Sequence, residues 1–187
     1  RCCENRDASK VWNDLADLFS DKGIGHYPSG DLGKEGIRKL FLQDVGKGRL
    51  GLGEGQIYPH IMLQPVVTLA PDGKKAKGRW RVLAMLGSYG GTALWAGGVY
   101  ENEYILENGV WKISRLHWYV TYQAPYDRGP AMARTPFPGV NQNFPPDLPP
   151  TEIYDSFPAV YIPPFHYDNP VSGRPASRKQ QVADVGQ

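Results

Sequence analysis

The chain has 187 residues, 41% hydrophobic and 12% aromatic, enough to fill one core and to predict a single domain plus an extension. Its 21 basic and 19 acidic residues are interspersed and leave a formal charge of +2, so there is no basic stripe to neutralise a phosphate backbone and nucleic acid is not an expected partner. No apolar stretch approaches the roughly 20 residues of a membrane-spanning helix, and no membrane partner is expected. The chain opens Arg1-Cys2-Cys3, without an initiator methionine or a signal-peptide pattern. A fragment or processed form, cytoplasmic by default, is the expectation. These adjacent cysteines disfavour a disulfide between them and give no metal-ligand spacing.

The first organised segment spans residues 11–19. Val11, Trp12, Leu15, Ala16, Leu18 and Phe19 recur at helical spacing, with Asn13, Asp14 and Asp17 on the other face, which predicts an amphipathic helix. A short extended piece at residues 24–27, a Pro28-Ser29-Gly30 turn and a second short helix carrying Ile37, Leu40 and Phe41 on one face follow. Residues 46–55 then form a glycine-rich loop,. From Ile57 the period becomes strand-like. Four runs rich in β-branched and aromatic residues, 57–69, 75–88, 92–106 and 110–122, are separated by turn signals that include Pro71-Asp72-Gly73 and Glu107-Asn108-Gly109,. Strands this long must curl, and helices packed across the concave side enclose a pocket. The expected class is α+β, a cone-shaped barrel of a long curled antiparallel sheet with the N-terminal helices on its concave side.

Beyond Tyr122 the pattern breaks, since 13 of the 17 prolines lie there. Regular structure is not expected in such a segment. Yet Tyr154, Phe157, Tyr161, Ile162, Phe165 and Tyr167 make it too aromatic for a solvated tail. The division is therefore a barrel domain over 1–126, a docked Pro- and aromatic-rich extension over 127–170, and a polar flexible tail over 171–187.

Four runs carry a family resemblance: Trp12-Asn13-Asp14-Leu15-Ala16-Asp17-Leu18-Phe19, Pro59-His60-Ile61-Met62-Leu63-Gln64-Pro65-Val66-Val67, Ala76-Lys77-Gly78-Arg79-Trp80-Arg81, and Gly109-Val110-Trp111-Lys112-Ile113 with Leu116-His117-Trp118-Tyr119. In this order they resemble the SnoaL-like domain proteins of the nuclear-transport-factor-2-like superfamily, over roughly residues 7 to 126. The run Tyr161-Ile162-Pro163-Pro164-Phe165-His166-Tyr167-Asp168-Asn169-Pro170 resembles an extension carried by one branch of them. This superfold hosts dehydratases, isomerases, cyclases, carbon–carbon lyases and association modules, so activity has to be argued from the site.

His60 opens the first long strand, with Met62 and Gln64 on the same face by the period of two. Resemblance to the scytalone-dehydratase branch implies a catalytic histidine at this position, and an imidazole can take and return a proton near neutrality. The alternative is a structural histidine at a strand end. The resemblance also implies a catalytic tyrosine at Tyr27, fifteen positions after Trp12, to hold a developing oxyanion; the alternative is an aromatic wedge at the barrel mouth. It further implies a helix aspartate orienting the histidine. Asp7 is the nearest candidate, five residues before Trp12 where that branch has four, and Ala8 occupies the direct match. The branch's second catalytic histidine falls where this chain has Ala84-Met85-Leu86.

His117 alternates with Trp111, Ile113, Arg115 and Tyr119, so this face is either pocket wall or opposite surface. If Trp111 and Ile113 are core, His117 and Tyr119 look into the cavity. Trp80, Trp95, Tyr100 and Tyr119, with Met62, are candidates to line a hydrophobic pocket for an aromatic substrate, or are ordinary core aromatics. Arg79 and Arg81 alternate with Trp80 and are expected as surface or dimer-interface charges.

No GxxxxGK[ST], HExxH or GxSxG pattern occurs, and Gly51-Leu52-Gly53-Glu54-Gly55 lacks the strand before and long helix after it that a dinucleotide loop requires. No cofactor and no metal are expected. The leading expectation is a cofactor-independent lyase, a dehydratase or carbon–carbon lyase, abstracting a proton from a hydrophobic, aromatic small molecule. An isomerase with the same residues, or a non-catalytic ligand-binding and dimerisation module, is the alternative. A homodimer or higher homo-oligomer is expected.

Overall fold

The structure, a computed structural model, describes residues 11–137 and 139–176. In chain order they form α1 (Val11–Asp17), β1 (Phe19–Tyr27), β2 (Gly30–Gly33), α2 (Lys34–Lys39) continued by a π-helical turn (Leu40–Val45), β3 (Gln56–Ile57), β4 (His60–Leu69), β5 (Lys75–Ser88), β6 (Ala93–Glu107), β7 (Val110–Pro125) and the short α3 (Gly129–Met132). No helix among the described residues is long and apolar enough to cross a membrane.

Turn chemistry sets the register of the large strands. Asn108 and Gly109 take φ of 51° and 78° between β6 and β7, the geometry that a primed hairpin turn demands and that Asn and Gly tolerate. Gly73 at φ 67° serves the β4–β5 connection, where Asp72 Oδ1 accepts from the Lys74 amide at 2.9 Å. The result is one seven-stranded sheet in the order β2-β1-β7-β6-β5-β3, with β4 also paired to β5. All pairs are antiparallel except β1 with β7, which makes the curled sheet mixed.

Two local departures have clear causes. Helix α1 stops at Asp17 because Leu18 gives its carbonyl to the Ile113 amide at 2.8 Å, starting the parallel pairing with β7. Leu18 is exposed while Phe19 is 1% exposed as a strand residue, so the apparent helical period runs past the helix by coincidence. The expected single strand from Ile57 is split at Tyr58-Pro59, where the Pro59 carbonyl accepts from Met85 at 3.2 Å.

Alternation along the long strands gives the sheet two distinct faces. His60 and Met62 pair with Ala84 and Val82, Trp80 pairs with Tyr100, and Tyr100 with Trp118, so these residues share one face. The helices cover it: Trp12 stacks on Phe41 at 5.3 Å and meets the edge of Tyr58 at 6.3 Å, Tyr58 lies 5.0 Å from His60, and His60 lies 6.3 Å from Trp118. Val82, Trp118 and Val120 form a buried cluster there, joined by Tyr27, Tyr100 and Leu116. Arg79, Glu101 and His117 lie on the other face.

The extension lies largely against that second face. Asp31 and Leu148 form a bridge off the β2 edge, Asp147 Oδ2 accepts from Gly33 N at 2.9 Å, and Phe157 N donates to Thr121 O at 2.8 Å. Its aromatic residues dock by side chain: Tyr154 stacks on Tyr161 at 4.2 Å, and Tyr161 on Tyr119 at 6.0 Å. Eleven prolines remove backbone donors from this stretch, so side chains do much of the anchoring. Of the expected polar tail, residues 177–187 lie outside the described residues.

Candidate functional site

Strand β4 begins at His60, where the curled sheet meets the helices. Its Nδ1 lies 3.3 Å from the Tyr58 carbonyl. A carbonyl only accepts, so Nδ1 carries the hydrogen and Nε2 keeps the lone pair. Burial lowers the pKa of His60, and the Tyr58 carbonyl only partly opposes this, so the ring is neutral at pH 7 and its Nε2 is a base.

Tyr27 shares the face, packed on the Trp118 cluster. Its ring lies over Gly25, where an added Cβ would come within 2.7 Å of Tyr27 Cε2; the absence of a side chain there lets the phenol turn inward. Burial, and next the neighbouring Tyr58, raise its pKa, which keeps a neutral O–H that can donate to developing negative charge. Two buried polar atoms on this side, Trp12 Nε1 and Asn102 Oδ1, have no hydrogen-bond partner among the described residues. One donor and one acceptor are thus left over in an otherwise aromatic environment. Trp80 Nε1 and Asn102 Nδ2 both donate to Tyr104 Oη, at 3.0 and 3.1 Å.

The structure therefore places His60, Tyr27, Met62, Trp80 and Tyr100 on one face of the sheet, with Met62 43% exposed. It does not bring in three others. His117 and Tyr119 lie on the opposite face: His117 pairs with Glu101 and His26, and its ring stacks on Tyr119 at 3.8 Å. The expected alternation of these residues with Trp111 and Ile113 fails, because a register shift between Glu103 and Tyr104 sets Ile113 and Trp111 opposite Tyr104 and Leu106, on the face His117 does not share. Trp95 pairs with Met85 and stacks on Tyr126 at 5.1 Å; it stands five positions from Tyr100, an odd interval that puts it on the other face. Asp7 lies outside the described residues.

Arg79 is also corrected. It is buried under the extension, ion-paired with Glu101 and donating to the Pro164 carbonyl at 2.7 Å. The sequence reading missed Tyr58 and Trp118, the direct neighbours of His60. Parity with His60 pointed to Tyr58, and parity with Leu116 and Val120 pointed to Trp118. It also missed two buried histidine–carboxylate pairs: His26–Asp31 at 2.9 Å, opposed across the β1–β2 turn, and His166–Glu101 at 2.7 Å, whose partners only the docking of the extension brings together. Among the described residues no group of three or more His, Cys, Asp or Glu is arranged to hold a metal ion.

The chain belongs to the SnoaL-like domain family, whose profile matches residues 1–117. Solved structures share the fold. One is a Novosphingobium aromaticivorans DSM 12444 protein named "Putative Scytalone Dehydratase", 20% identical with a TM-score of 0.52, covering 62% of this chain and 74% of that one. Another is the hexachlorocyclohexane dehydrochlorinase LinA-type3 of Novosphingobium barchaimii LL02, 22% identical with a TM-score of 0.51 over 68% and 82% of the two chains. LinA itself is 20% identical, TM-score 0.52, over 68% and 81%. No curated protein sequence matches the chain. At these identities the likeness establishes the fold and nothing finer.

Proposed function

We propose that this chain is a cofactor-independent lyase acting on a hydrophobic, aromatic small molecule, with His60 as its base. The observation that carries the reading is the state of His60: a neutral imidazole, its Nδ1–H committed to the Tyr58 carbonyl, set among aromatic rings with Tyr27 on the same face. Two of the fold relatives are named for eliminations, a dehydratase and a dehydrochlorinase, and the proposal carries that class of reaction to this chain. Nε2 takes a proton from a carbon next to an activating group. The C–H electron pair becomes the new double bond, and the hydroxyl on the adjacent carbon leaves with the proton returned by the imidazolium, giving water. Tyr27 donates to the oxygen on which negative charge grows. Self-association belongs to the same proposal, since strand β4 leaves Ile61, Leu63, Val67 and Leu69 exposed; light scattering on the purified chain tests it.

The test of function is turnover of a panel of β-hydroxy aromatic and diarylpropane compounds by the chain and by His60→Ala, with the fold of each checked by circular dichroism. Turnover lost in a folded variant supports the lyase. Absence of turnover with retained aromatic-ligand binding moves the reading to a binding module, and an isomerised product without loss of mass moves it to an isomerase.

A further inference from the structure

The extension and the sheet enclose a cluster that the proposed reaction does not use. Against β5, β6, β7 and residues 164–166 lies a cavity of about 200 Å³ whose wall carries two bases, Lys77 and Arg115, two acids, Glu101 and Glu103, and the rings of His117, Tyr119, Phe165 and His166. Three buried nitrogens of these lining residues have no hydrogen-bond partner among the described residues: Arg115 Nε, His117 Nδ1 and His166 Nε2. The two histidines are well enclosed, the His166 side chain 7% exposed and His117 6%. Buried polar atoms left in this state are costly, and several around one small cavity are what a binding site looks like without its ligand.

The cluster is held in place from behind. His166 Nδ1 lies 2.7 Å from Glu101 Oε2; a carboxylate accepts, so Nδ1 carries hydrogen and the ring is fixed with Nε2 unused. Glu101 is ion-paired with Arg79, and Arg79 lies over the Phe165 ring with its guanidinium carbon 3.9 Å from the centroid. This anchoring fixes the positions of Phe165 and His166, so the walls supplied by the extension are ordered side chains on a rigid support.

Charge and size narrow the occupant. Arg79 matches Glu101, and the single Glu103 carboxylate is shared by Lys77 at 3.7 Å and Arg115 at 3.9 Å. With Glu101 held by Arg79, one of the two basic side chains on the wall has no carboxylate of its own, which suits a monoanion. The volume falls below the roughly 300 Å³ at which pockets begin to hold drug-sized molecules, so the body is about one ring, and Tyr119 and Phe165 offer it aromatic walls. Arg115 Nε always presents a hydrogen to a carboxylate oxygen, and His117 Nδ1 does so in one tautomer.

We propose that this space binds a small aromatic monocarboxylate, its carboxylate toward Arg115 and Lys77 and its ring against Phe165 and Tyr119. The site is separate from His60, on the opposite face of the sheet. The experiment is calorimetric titration of benzoate into the full chain at low salt, with benzamide as the neutral isostere and inorganic phosphate as the competing anion. Saturable benzoate binding is expected, at least about tenfold tighter than benzamide or phosphate. Arg115→Gln and His166→Phe should each weaken it about tenfold or more, while His60→Ala changes it less than about twofold. Arg115 stands on β7 and pairs with Glu103 of β6, so its variant tests the site even if His166→Phe loosens the extension. Failure of benzoate to bind, equal binding of benzamide, preference for phosphate, or indifference to both substitutions would overturn the proposal. Loss of binding in His60→Ala alone would assign benzoate to the lyase site instead. Because the readout is heat of binding rather than turnover, the result stands apart from the fate of the lyase reading.

Discussion

The two faces of one sheet differ in how they are buried. The helix-covered face gathers Tyr27, Tyr58, His60, Tyr100 and Trp118, a nearly uncharged aromatic surface closed by Trp12 and Phe41. The face under the extension holds Arg79, Glu101, His26, Asp31 and His117, and its charged groups are admitted because they meet partners. Arg79 and Glu101 have side chains only 8% and 12% exposed, and isolated charges so enclosed would be strongly disfavoured. An aromatic face is stable wherever apolar helices happen to cover it. An ionic face is stable under a cover only when that cover brings specific partners, here Pro164, Thr151 and His166.

The comparison is open to attack from both sides. The largest effect concerns chemistry: His60→Ala should reduce kcat/KM on the reactive compound of the panel by about 100- to 10,000-fold, and His117→Ala by less than about tenfold. The reverse order would move catalysis to the other face. Next comes Arg79→Met, which leaves Glu101 under the extension with only His166 beside it and should lower the unfolding free energy by about 3 kcal/mol in urea denaturation, with Glu101→Gln in the same chain recovering more than half,. A loss below about 1 kcal/mol would mean that the extension does not enclose the pair.

His117 supplies a smaller, pH-dependent effect. Burial, with His26 and Arg115 adding and Asp31 opposing, pushes its pKa from 6.5 down to about 3. The unfolded chain therefore takes up the proton first on acidification. The contribution is fully present above pH 6.5 and is lost as pH falls toward 3, by about 1.4 kcal/mol per pH unit. Between pH 7 and pH 5 the chain should lose about 2 kcal/mol more stability than His117→Phe, measured by urea titration at both values. The smallest effect is on the aromatic face. Gly25→Ala forces a Cβ against the Tyr27 ring and should cost about 1–3 kcal/mol, with a changed near-ultraviolet circular dichroism spectrum reporting the displaced ring.

Much of the architecture was legible in the sequence because it is written in local rules. The four strand runs appear nearly where expected, since alternation and the Pro71-Asp72-Gly73 and Asn108-Gly109 turns act over a few residues. Parity also separates Tyr100 from Trp95, five positions apart, and Trp118 from Tyr119; a pocket drawing on both members of such pairs was never compatible with one flat face. Helix α1 was overextended for the opposite reason. Leu18 and Phe19 continue a helical spacing, but pairing of that segment with β7, more than ninety positions away, outweighs local preference.

What the sequence determined by itself, then, is the α+β class and the order of the long strands, consequences of side-chain period and turn chemistry; which residues share a face also depended on register shifts in β7 that the period does not reveal. It could not decide which face the helices cover, because an alternating pattern is unchanged when its two sides are exchanged; hence His117 could be read as pocket wall or outer surface. That was settled by Trp12 packing through Tyr58 toward His60. The pairing of His166 with Glu101, 65 positions apart, likewise depends on the path of a segment with no period at all, and only tertiary structure brings such groups within hydrogen-bond reach.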